Sequence, residues 1–155
     1  MSKKMIYISF ILSAVFSSEI FAYATYAMPE LDQALNYVYE DRFEQAEAIY
    51  NSLLANPPDQ EAEILAHSGL ILIDIRQGNI TTAKTTADAL IADYSSNEIV
   101  SAAAFDIANA FLVEAEQTHE AGQYFHYVID NWPDSEDGFS ARFGAMRSSV
   151  LLQFN

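Results

Sequence analysis

The chain has 155 residues, about the length of one domain, and its 22 acidic and 7 basic side chains give a formal charge of -15. So few Lys and Arg cannot neutralise a phosphate backbone or hold an anionic bilayer, which argues against nucleic acid and anionic lipid as partners. An apolar fraction of 51% calls for a packed core, and with no cysteine the chain has no disulfides, thiolate metal sites or cysteine nucleophiles.

Residues 1–24 read as a secretory signal peptide. Lys3 and Lys4 form a positive start, Met5 to Phe16 is mainly apolar, and Ala22-Tyr23-Ala24 offers small residues for cleavage. An uncleaved anchor would need roughly 20 mainly apolar residues, and Ser17, Ser18 and Glu19 interrupt the run first. The expectation is a periplasmic or secreted protein with no stable membrane span after cleavage. Removing Lys3, Lys4 and Glu19 leaves 21 acidic against 5 basic side chains, a formal charge of -16.

From Met28 onward, apolar residues recur at spacings of three and four, as in Leu31, Ala34, Leu35 and Val38, which is the helical period. The remaining prolines and glycines mostly fall where helices would start or stop, at Pro29, Pro57-Pro58, Gly78, Pro133 and Gly138. The predicted helices are 30–40, 43–56, 60–77, 80–94, 97–116, 118–131 and 136–153. The apolar run Leu70 to Ile73 stays helical, because its flanks keep that period and show no alternation.

The segments also repeat. Ala46, Ala83 and Ala121 are 37 and 38 residues apart; four residues after them stand Tyr50, Ala87 and Phe125, and twelve after, Pro58, Ser95 and Pro133. Five residues before them stand Asp41, Gly78 and Glu116. A small Ala lets the second helix of a pair approach the first, an aromatic one turn later fills the space beside it, and Pro stops the helix.

On these residues the chain resembles the tetratricopeptide repeat (TPR) family over about 28–133, and the stretch from Tyr124 to Ser135 looks most like it. The units run three or four residues longer than the family's usual 34, and Ala87 and Ser95 stand where an aromatic and a proline are usual. The resemblance implies an all-α, right-handed superhelix of three helix pairs plus a C-terminal capping helix, forming one domain over 28–155. It also implies a concave, mainly apolar peptide groove along the first helices. Counting back from each aligned Ala, that groove would hold Tyr39, Arg76 and Glu114; Val38, Ile75 and Val113; Leu35, Leu72 and Ala110; and Leu31, Ser68 and Asp106. The competing expectation is that these residues are simply core, or lie under the last helix. Some family members clamp a partner's terminal carboxylate with basic groove residues, but Lys84, the one lysine after residue 24, falls on a second helix.

Little else suggests chemistry. His119 and His126 are seven apart, too far for chelation from one helix, and Asp134, Glu136, Asp137 and Gly138 lack the ligand spacing of an EF-hand. No phosphate loop, zinc-protease helix or nucleophile elbow is present. The expected function is a non-enzymatic, cofactor-free interaction module for a neutral or basic protein or peptide. The alternatives are a small-ligand carrier, with Tyr37, Tyr39, Phe105 and Phe111 lining an apolar pocket, and a cell-wall enzyme built around one glutamate.

Overall fold

The computed structural model describes residues 28–153, so the signal-peptide reading lies outside the described residues. The fold is all-α: seven helices, with no strand among the described residues. They are α1 (Pro29–Tyr39), α2 (Phe43–Ala55), α3 (Gln60–Arg76), α4 (Ile80–Tyr94), α5 (Ile99–Val113), α6 (Thr118–Asn131) and α7 (Glu136–Leu151). Observed ends fall within three residues of the predicted ones. The widest departure is α5, which ends at Val113, three residues early, before the left-handed Glu116, and starts two residues late at Ile99, where Asn97 Oδ1 accepts the Ile99 N–H at 3.0 Å.

Helix starts follow the local chemistry. Asp59 Oδ1 accepts the Ala62 N–H at 2.8 Å to open α3, and Ser135 Oγ accepts the Gly138 N–H at 3.0 Å to open α7. Glu136 and Asp137 then stand in the first turn of α7, where the positive end of the helix dipole favours them. The acidic segment read against a calcium loop is this helix start.

Three hairpins share one turn design. Asp41, Gly78 and Glu116 are the three described residues with positive φ, at 57°, 80° and 55°. Each lies five residues before its aligned Ala. The first two turns close alike: Arg42 N–H reaches Tyr37 O and Asn79 N–H reaches Asp74 O, both at 2.8 Å, with Asp41 N–H to Val38 O and Gly78 N–H to Ile75 O both at 3.1 Å. The third turn is one residue wider, with Gln117 N–H reaching Phe111 O at 2.8 Å, and this takes up the extra residue of the 38-residue spacing.

First helices pack on first helices, α1 on α3, α3 on α5 and α5 on α7, while α2, α4 and α6 each pack against the first helices on either side. This explains why α3 is apolar around most of its circumference. Its Leu65, Ala66 and Ile73 join α1 and α2 in one core cluster, and its Ile64, Ile71 and Ile75 join α4, α5 and α6 in a second.

Ala46, Ala83 and Ala121 are fully buried, and Tyr50 and Phe125 fill the space one turn on. Each ring lies across a glycine nineteen residues later, Tyr50 over Gly69 and Phe125 over Gly144, so closely that an added Cβ would overlap ring atoms. At the corresponding register after Ala87 stands Asp106. The middle unit, which lacks the ring, also lacks the glycine.

Two buried tyrosines make the fold sensitive to alkali. Burial pushes both hydroxyls well above the ordinary 10.0, and Tyr124 is raised further by donating to Asp88 Oδ1 at 2.9 Å. Below that value both folded and unfolded chains keep the protons. Above it the unfolded chain ionises first, so stability should fall by about 1.4 kcal/mol per pH unit for each tyrosine. Melting curves followed from neutral pH into this range should show the decline, and Tyr50→Phe should make it shallower.

Candidate functional site: the row of first helices

Tyr39, Arg76 and Glu114 share one repeat register, and the structure brings them side by side at the C-terminal ends of α1, α3 and α5. Arg76 is the hub. Its Nη2 donates to Asp41 Oδ1 at 2.9 Å, its Nη1 lies 3.6 Å from Glu114 Oε1, and its guanidinium carbon sits 5.9 Å from the Tyr39 ring centroid. The Arg76 side chain is 16% exposed, against 69% for Asp41 and 38% for Glu114, so one nearly covered cation holds two outer carboxylates. Its position in the last turn of α3 suits the negative end of that helix.

Tyr39 is 45% exposed. Burial of part of its ring edge and the nearby Asp106 carboxylate raise its hydroxyl above the ordinary value, with Arg76 opposing. The face therefore presents an aromatic and an acidic fringe around a neutralised arginine.

The other residues expected along the groove divide by burial. Leu31, Val38, Ser68, Ile75 and Ala110 are buried and hold the helices together. Leu35, Leu72 and Asp106 are half-buried, and Leu72 touches both core clusters. Accessible surface on this register belongs to Tyr39, Val113 and Glu114.

Two features escaped the sequence reading. Asp41 enters the sequence pattern only as the residue five before Ala46, but its left-handed backbone turns the carboxylate back to Arg76, thirty-five residues away in sequence. The outer side of α7 carries Phe139, Phe143, Met146 and Val150 in the open, at helical spacings that were visible in the sequence.

The residues named for the alternative functions have separate settings. Phe111 stacks on Tyr124 with ring centroids 5.5 Å apart, Phe105 meets Phe125 edge-on at 5.9 Å, and Tyr37 lies 4.0 Å from the Arg42 guanidinium. A small cavity of about 100 Å³ is lined by His67, Thr86, Ala89, Leu90, Asp93 and Tyr94, and an open depression of about 440 Å³ lies by the first turn, at Asp41 to Gln45 and Gln77. Neither includes those four aromatics. Every glutamate among the described residues is at least partly exposed. Among the described residues no three His, Asp or Glu converge as metal ligands, and no helix is long and apolar enough to cross a membrane. No family model matches this chain, and comparison with the curated proteins gives no match either.

Proposed function

We propose that this chain is an exported, non-enzymatic module of the tetratricopeptide type. In this reading its three helix pairs wind as a right-handed superhelix closed by α7, and it acts in the periplasm or outside the cell. It holds a neutral or basic peptide or protein segment along its first helices, centred on Tyr39, Arg76, Val113 and Glu114. The observation that carries this reading is the turn repeat: three left-handed residues at one register, each followed five residues later by a fully buried Ala. The acidic fringe around Arg76 and the net charge of -15 favour a basic segment by electrostatic steering.

The test uses accessible residues, because a charge at half-buried Leu72 would disturb both cores. Tyr39→Ala with Val113→Asp should keep the wild-type helicity and melting. It should also weaken recovery of envelope partners, and binding of apolar peptides with basic flanks, by about tenfold or more, as expected for loss of an aromatic anchor. Equal binding by both proteins, or preference for acidic peptides, overturns the groove.

A further inference from the structure

The terminal helix of a stacked array ordinarily turns a polar side to solvent. Here α7 does not. Gly138, Ala141, Ala145 and Ser148 are buried on its inner side, while Phe139, Phe143, Met146 and Val150 stand 53%, 71%, 59% and 48% exposed. Intervals of four, three and four residues line these up as one stripe opposite the buried side. With an aromatic side chain at roughly 200 Å², the four leave on the order of 400 Å² of apolar surface open, within the range of the largest patch a typical monomer carries.

Charge points to the occupant. Glu136 and Asp137 open α7, and Arg142 and Arg147 follow, so it is the one helix among the seven without net charge. On so acidic a protein, this is the surface where a second copy meets the least repulsion. The antiparallel arrangement also keeps the two acidic starts, Glu136 and Asp137 of each copy, at opposite ends, where a parallel pairing would set them side by side. Turned end over end, the stripe matches itself, with Phe139 facing Val150 of the second copy and Phe143 facing Met146. Two such stripes with their polar margins approach the roughly 1,200 Å² at which specific interfaces begin.

We propose that two copies of this chain pair antiparallel through the outer side of α7. Sedimentation of the full chain, in the N-terminal form its host produces, should show a reversible dimer. Phe143→Glu should reduce it to a monomer of unchanged helicity. The chain has no cysteine, so single introduced cysteines report the register. Phe143→Cys should yield a disulfide-linked dimer on mild oxidation, because its two copies would lie about 4.5 Å apart along the helix axes. Phe139→Cys should not, because its copies would lie about 16 Å apart along them. A wild-type monomer at every attainable concentration overturns the proposal and leaves the stripe to a different chain. A dimer that survives Phe143→Glu, or Phe139→Cys linking as readily as Phe143→Cys, overturns it as well.

Discussion

Gly69→Ala should lower the melting temperature by about 10 °C, which corresponds to about 3 kcal/mol for a domain of this size. The cause is the Tyr50 ring, which occupies the space the new methyl group would need. Tyr50 is 2% exposed and sits in the core cluster formed by α1, α2 and α3, so the ring cannot swing outward into water. Helix propensity works the other way, since Ala at an ordinary helical position would gain about 1 kcal/mol over Gly. The direction of the change therefore separates close packing from propensity. Tyr50→Leu should cost stability alone yet relieve part of the Gly69→Ala defect, so the double variant should be more stable than the sum of the singles predicts. Additive effects, or a raised melting temperature in Gly69→Ala, would show that the ring and the glycine are not coupled.

Deleting residues 134–155 should produce aggregation or cost most of the stability. This removes α7, whose inner side covers Phe125, and Phe125, Val128 and Tyr124 of α6 are all almost fully buried. Re-exposing each large apolar side chain costs about 1.5–3 kcal/mol, so uncovering this group would consume much of a typical 5–15 kcal/mol stability. Light scattering and thermal unfolding of the truncated chain check this. A soluble monomer with wild-type melting would show that α7 is dispensable as a cap. Phe143→Glu tests the other side of the same helix, and it should leave melting of the monomer nearly unchanged. Together the two variants distinguish the inner, covering side of α7 from its outer, exposed one.

How much of this was legible beforehand differs from helix to helix. α2, α4 and α6 matched closely because each keeps an unbroken helical period, whereas the left-handed residue Glu116 fell inside the predicted 97–116 helix. α3 was identified as a helix, but nothing local could say that its several apolar sides serve two separate cores. That depends on which helices lie beside it. Ala87, which broke the aromatic series, looked like a flaw in the repeat. In the fold it belongs to a matched exchange, in which the ring and the facing glycine are lost together.

The candidate site shows the same division. The register that placed Tyr39, Arg76 and Glu114 together came from counting along the chain, and the ion pair of Arg76 with Glu114 fits it. Register alone could not separate Val38 and Ile75, which are buried, from Tyr39 and Val113, which are open. Periodicity gives the angle of a side chain around its own helix and carries no information about what packs against that angle.

The sequence by itself determined the helices and most of their stops, because these depend on backbone preferences within a few residues. Tertiary structure alone decided which apolar residues became core, that Asp41 reaches Arg76, and that α7 is covered on one side and bare on the other. Each of these depends on neighbours brought close from tens of residues away, and burial is a property of that meeting.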